Sequence, residues 1–96
     1  AVNALAVEVF VRLMAERCYY CGTKPTNLTK LRTGKNIRYN GIDRLDPDSE
    51  YTEENVVACC KTCNSMKSKM TTDEFLTQVG RIQSWTERNW QKPLWA

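Results

Sequence analysis

Cys18-Tyr19-Tyr20-Cys21 and Cys60-Lys61-Thr62-Cys63-Asn64-Ser65-Met66-Lys67 decide how this chain folds. Two Cys-x-x-Cys pairs separated by a spacer long enough to fold are the sequence form of a tetrahedral, four-thiolate zinc site. Such a site pins distant segments together and contributes folding free energy directly. Disulfides or a thioredoxin-like redox pair fit less well: five cysteines is an odd number, no secretory signal is visible before them, and no βαβ pattern surrounds Cys18 and Cys21. The expected structural metal is therefore Zn2+ on Cys18, Cys21, Cys60 and Cys63. Cys59 is the thiol left over. It reads as a small buried apolar residue at a strand end, with Cys59-x-x-x-Cys63 as a second way to pair the ligands.

The 96 residues make one domain whose surface-to-volume ratio leaves an ordinary apolar core marginal, a deficit that a zinc cross-link offsets. A composition of 42% hydrophobic and 26% charged residues is that of a soluble globular chain. Glu8, Arg12 and Glu16 interrupt the apolar stretches well short of a membrane span, so no membrane partner is expected. Reduced thiols suit a cytoplasmic, reducing compartment, in a bacterium or a phage-infected host cell. The chain begins at Ala1 rather than Met, which reads as a processed or excised start and leaves a larger parent protein open.

Four zinc thiolates (−4) and one Zn2+ (+2) would bring the formal charge of +3 to +1, so the distribution of charge matters more than its sum. Lys24, Lys30, Arg32, Lys35, Arg38 and Arg44 concentrate base after the first knuckle, and Asp46, Asp48, Glu50, Glu53 and Glu54 concentrate acid in the next segment. A polyanion would meet the first segment; alternatively both runs are solvated loop.

Val2, Leu5, Ala6, Val9, Phe10 and Leu13 form one stripe of an amphipathic helix over residues 2–17. Pro25, Asn27, Gly34, Asn36 and Asn40-Gly41 mark an irregular or hairpin region in which Ile37 and Tyr39 form a short strand. Residues 42–45 and 55–59 read as a hairpin across an acidic loop, and residues 61–69 as a short helix. Thr71-Thr72-Asp73-Glu74 is a capping box opening a last helix with Phe75, Val79, Ile82 and Trp85 as its apolar stripe. Trp85, Trp90 and Trp95 recur every five residues, matching neither helix nor strand period, and Pro93 ends any helix; they read as packing on the core or on a partner.

Asn40-Gly41-Ile42-Asp43-Arg44-Leu45-Asp46, Tyr51-Thr52-Glu53-Glu54-Asn55-Val56-Val57 and Cys60-x-x-Cys63-Asn64-x-x-Lys67, in this order, resemble the HNH nuclease family, especially small phage-type members with paired zinc knuckles. The resemblance is strongest over residues 41–67 and extends plausibly from Cys18 to Phe75. It implies an α+β fold, a ββα-metal core over residues 18–70, flanked by a helix at 1–17 and a helix and tail at 71–96. By position, Asp43 corresponds to the family's metal-binding acid, Arg44 to its first His, Asn55 to its central Asn and Asn64 to its final His or Asn. Asp43 and Asn64 would then offer hard oxygen ligands to a catalytic Mg2+ or Mn2+. Asn55 would brace the loop that presents the catalytic strand. Taken singly, Asp43-Arg44 also reads as a surface ion pair, Asn55 as a turn residue and Asn64 as a helix-start residue.

The chain contains no histidine, so the base that names the family is absent. A guanidinium offers only donors and does not deprotonate water at neutral pH; Arg44 can clamp a phosphate instead. Some rare-cutting restriction endonucleases of this superfamily look similar in carrying Arg here, with a tyrosine implicated as nucleophile. Of Tyr19, Tyr20, Tyr39 and Tyr51, the first choice is Tyr51, between the two strands, and the second Tyr39; metal-bound water is the third route. Lys61, Lys67, Lys69 and Arg38 join Arg44 as candidate phosphate contacts, with Lys67 foremost. The expected function is metal-dependent endonucleolytic cleavage of DNA, with a homodimer open. The rivals are a non-catalytic zinc module that binds DNA or RNA and a zinc-stapled protein-interaction domain docking through its tryptophans.

Overall fold

A computed structural model describes residues 5–90; Val2, Pro93 and Trp95 lie outside them. The element order is α1 (Val7–Met14), β1 (Asn27–Lys30), β2 (Asn36–Tyr39), β3 (Gly41–Arg44), a single 3-10 turn (Glu53–Asn55), β4 (Val56–Cys59), α2 (Lys61–Lys67) and α3 (Thr72–Asn89). The strands form two separate antiparallel hairpins, β1 with β2 and β3 with β4. The result is a small α+β slab of 51 × 36 × 15 Å.

The helix expected over residues 2–17 is shorter at its end, for a physical reason. The N–H groups of Ala15 and Glu16 reach back only three residues, to the carbonyls of Arg12 and Leu13 at 3.2 and 3.0 Å. This tightened turn leaves the Met14 carbonyl to the backbone N–H of Asn40 (2.9 Å) and the Glu16 carbonyl to the Asn40 side chain (2.9 Å). Asn40 is fully buried and clamps the helix end to the start of β3, a role that its turn-like setting in the sequence does not announce. α1 packs against β3 and β4 through Leu13, while Phe10, expected on the inner stripe, is exposed.

The β3–β4 hairpin pairs Gly41 with Cys59, Ile42 with Ala58, Asp43 with Val57 and Arg44 with Val56, within one residue of the expected strands. β1 is the strand that the sequence hides. Asn-Leu-Thr-Lys has little of the β-branched or aromatic content that marks a strand, and it forms by pairing with β2 across a turn where Gly34 takes φ +88°. α2 begins at Cys60, whose Sγ accepts from the Cys63 N–H, and stops at Ser68, which turns to φ +50°. α3 opens with the expected capping box: Glu74 N–H to Thr71 Oγ1 at 3.2 Å and Thr71 N–H to Glu74 Oε1 at 2.9 Å.

Burial is concentrated around sulfur. Cys18, Cys59, Cys60 and Cys63 form one buried cluster with Tyr20 packed on it. Leu13, Val56, Ala58 and Phe75 complete the buried apolar set. The expected inner stripe of α3 is correct only at Phe75; Val79, Ile82 and Trp85 are exposed, although Met66 of α2 lines an open groove with Val79 and Ile82.

Asn55 holds the acidic loop shut. Its amide donates to the carbonyls of Asp46 (3.0 Å) and Glu50 (2.9 Å), and its Oδ1 accepts from the Asp46 N–H (3.0 Å). Asn55→Ala removes three hydrogen bonds worth roughly 0.5–1.5 kcal/mol each and should lower unfolding free energy by about 2 kcal/mol in urea titration of the zinc-loaded chain.

Candidate metal centre

Each Cys-x-x-Cys pair sits where a strand end or loop turns back on itself. The first closes through the Gly22 N–H to the Cys18 carbonyl (2.9 Å), with Gly22 at φ +76°, and the second closes at the first turn of α2. The Tyr19 N–H joins the two halves by donating to the Ala58 carbonyl of β4 at 2.9 Å. The Sγ atoms of Cys18, Cys21, Cys60 and Cys63 consequently lie within 4.8 Å of one another. A Zn–S bond of about 2.3 Å puts the corners of a tetrahedron about 3.8 Å apart. Cys21 Sγ and Cys60 Sγ stand 3.7 Å apart, and all five thiols are free of disulfides. Four close cysteines of this geometry could hold a structural metal such as zinc. Cys59 is not one of them: buried beside the cluster, its thiol points to the Cys60 carbonyl at 3.4 Å.

The four thiols are not equivalent. Burial alone would push Cys18 up, but the backbone hydrogen bonds from Cys60, Cys21 and Tyr20 outweigh it and bring the thiol down to about 6. Burial pushes Cys63 well above the ordinary thiol range, and the neighbouring Cys60 and Cys21 sulfurs push it further. At Cys21 the backbone hydrogen bond from Thr23 lowers the thiol, yet burial and the contact with Cys60 carry it upward on balance. Burial, followed by the charges of Cys18 and Asp43, pushes Cys59 up to about 12, consistent with a protonated bystander.

Beside the sulfurs lies a second buried centre. Lys67, on α2, is wholly buried, and its Nζ stands 3.2 Å from Asp43 Oδ2 and 2.9 Å from the Arg44 carbonyl. Tyr20, from the first knuckle, donates its hydroxyl to Asp43 Oδ2 at 2.7 Å, and the Tyr20 hydroxyl oxygen also lies 2.8 Å from Thr72 Oγ1 at the start of α3. Burial and the carboxylate of Asp43 hold the Tyr20 phenol far above its ordinary value, against the opposing contact from Thr72, so it remains a donor. The Tyr20 ring packs edge-on against Phe75 at 5.3 Å. This group joins the first knuckle, β3, α2 and α3. It corrects the expectation that Lys67 faces a phosphate backbone: its charge is spent inside the protein. The sequence gives no signal for this role of Tyr20, because a residue between Cys18 and Cys21 reads as spacer.

Arg44 takes the opposite side of β3, as alternation requires. Its guanidinium lies 4.6 Å from the centroid of the Tyr51 ring and donates to the Ser49 carbonyl at 3.1 Å. Asp43-Arg44 is therefore not a mutual ion pair. Two expected site residues, Arg44 and Tyr51, do come together, and Tyr51 is exposed. Asn64 is exposed on α2, and none of its described contacts joins it to Asp43, both of whose oxygens face Lys67. Lys61 and Lys69 are exposed near α2, Arg38 is exposed on β2, and Tyr39 is half-buried at the end of β2.

Because Cys21 and Cys63 are protonated in the metal-free chain at neutral pH, zinc must displace their protons. Calorimetry in buffers of different ionisation enthalpy should show about two or more protons released per zinc at pH 7, with affinity falling as pH drops. The buried pair makes a separate prediction. Lys67→Ala leaves the Asp43 carboxylate buried without its counter-charge and should cost about 3–5 kcal/mol in urea denaturation, whereas Asp43→Leu combined with Lys67→Met should recover most of that loss.

No family model matches this chain, and no solved structure matches it. The chain is similar to an uncharacterized protein of Acanthamoeba polyphaga mimivirus, with 30% identity over 81 residues that cover 84% of this chain. Those residues span only 13% of the viral protein's length.

Proposed function

We propose that the chain is an HNH-type endonuclease that cleaves DNA phosphodiester bonds at the Arg44–Tyr51 pair, on a ββα unit made of β3, β4 and α2 and stapled by zinc. The observation that carries this reading is the Arg44 guanidinium lying 4.6 Å from the exposed Tyr51 ring. In a chain without histidine, the resemblance to HNH nucleases requires a phosphate clamp and a nucleophile other than one activated by imidazole. These two side chains supply both at one accessible place.

The reaction written on these residues balances without a protein base. A guanidinium fork binds non-bridging phosphate oxygens and stabilises the charge that builds on them as phosphorus becomes five-coordinate. The Tyr51 hydroxyl oxygen forms a bond to phosphorus, and the bond from phosphorus to one deoxyribose oxygen breaks. The phenolic proton goes to solvent, and the departing alkoxide takes one from solvent. Water then hydrolyses the phosphotyrosyl ester, releasing the phosphate end and restoring Tyr51.

A catalytic Mg2+ or Mn2+ on Asp43 and Asn64 does not fit this arrangement. Both Asp43 oxygens face the Lys67 ammonium, Oδ1 at 3.4 Å and Oδ2 at 3.2 Å, and an entering cation would have to displace it. The same buried pair favours a second reading, a zinc-stabilised module that binds DNA or RNA without cutting it. There Asp43 serves the fold alone.

A supercoiled-plasmid assay, with Mg2+ and Mn2+ titrated in, separates the two. Chelation is no control, since it would also strip the four cysteines. In the enzyme, Tyr51→Phe should abolish nicking, with one zinc retained and DNA affinity changed less than about threefold, because only the nucleophilic oxygen is lost. Binding by the unmodified chain without nicking at any metal concentration would leave the binding module standing. Absence of both would point to the interaction domain.

A further inference from the structure

The β1–β2 hairpin is the part of the fold that the zinc centre does not explain. Its two strands pair with each other and pack extensively against no other element. Every residue from Leu28 to Arg38 is exposed, including the aliphatic side chains Leu28, Leu31 and Ile37. The register decides what each face carries. Leu28 lies opposite Arg38 and Lys30 opposite Asn36, so these four share one face; Asn27, Thr29, Ile37 and Tyr39 share the other. Arg32 and Lys35 occupy the tip, which is closed by the Leu31 N–H to the Lys35 carbonyl at 2.7 Å. Residues 22–42 contain Lys24, Lys30, Arg32, Lys35 and Arg38 and no acidic residue, and none of the five cations forms an ion pair among the described residues.

We infer that this ribbon is the chain's DNA-reading element and lies in the major groove of duplex DNA, with the Leu28–Lys30–Asn36–Arg38 face toward the base edges and Arg32 and Lys35 on phosphates. The inference rests on the nucleic-acid reading above and adds where and how the duplex is held. Four paired residues make a ribbon about 14 Å long, with strands about 4.8 Å apart, and a major groove about 12 Å wide admits such a ribbon. Asn36 and Arg38, two residues apart on one strand, project side chains about 6.8 Å apart, close to two base-pair steps of about 3.4 Å. Asn and Arg are the side chains that pair in bidentate fashion with adenine and guanine edges there, and Leu28 can meet a thymine methyl. A single strand is the poorer fit. Sequence-tolerant single-strand binding relies on exposed aromatic platforms, and this face has none.

The test uses the full zinc-loaded chain, a short random-sequence duplex and oligo-dT of equal length, with affinity followed by fluorescence anisotropy over a range of salt. The duplex should bind more tightly. Arg32→Ala with Lys35→Ala should lower the slope of log affinity against log salt by about 1.8, from two lost phosphate contacts. Methyl green, which fills the major groove, should displace the protein, and netropsin, which fills the minor groove, should not. In selection from a random duplex pool, Asn36→Ala with Arg38→Ala should lose the motif that the unmodified chain enriches. Arg38→Lys should retain the salt slope while weakening that enrichment, which separates lost base reading from lost fold or charge. Duplex binding with an unchanged salt slope in the tip variant, displacement by netropsin alone, or preference for oligo-dT would each overturn the ribbon assignment and leave the nuclease reading intact. Failure of the unmodified chain to bind either nucleic acid would overturn both.

Discussion

Four sulfur atoms drawn from two segments, with Cys21 and Cys60 separated by 39 positions, are the constraint on which the rest of this small fold depends. The apolar core beyond them is limited to Leu13, Val56, Ala58 and Phe75 among the described residues, too few to order a chain of this length by burial alone. A metal held across the two knuckles would close a long loop, and within that loop lie both hairpins. It would also fix the start of α2 relative to the turn that carries Tyr20. The ionic group of Asp43, Lys67, Tyr20 and Thr72 can be satisfied only once those two pieces are held together.

Short-range chemistry was legible in the sequence. Cys-x-x-Cys spacing identified the four cysteines that come together, the capping box located the start of α3, and the short run Asn55-Val56-Val57-Ala58-Cys59 placed β4 to within one residue. What the sequence did not disclose depends on long-range partners. Lysine is rarely buried, so Lys67 reads as a surface charge until Asp43, 24 residues away, is seen beside it. Likewise β1 has little strand character of its own and exists by virtue of its pairing with β2. The stripe on α3 illustrates the converse error: periodicity identifies an apolar face, but the size of the neighbouring body decides how much of that face is covered.

Adjacent residues on β3 divide the candidate site into two environments. Asp43 turns inward to a buried setting where both oxygens have partners, while Arg44 turns outward to Tyr51 and the loop that Asn55 braces. The separation gives the two residues different chemical prospects. The inner one is committed to contacts within the fold; the outer one keeps a cation over the ring of an exposed tyrosine. A proposed nuclease activity on this chain therefore draws on the outer pair, and the inner group acts by keeping β3 in place.

α3 extends for 18 residues, about 27 Å, and buries only Phe75, near its first turn. It is thus built as a cantilever, held at one end by Thr72 on the Leu45 carbonyl and by the Tyr20–Phe75 ring contact. In proteins most helical stability comes from tertiary packing of one face, and α3 buries a single side chain. Its winding should therefore follow the order of the sulfur-rich junction at its root, so that Trp85 and Trp90 along its outer reach become intrinsic fluorescent indicators of whether that junction is assembled.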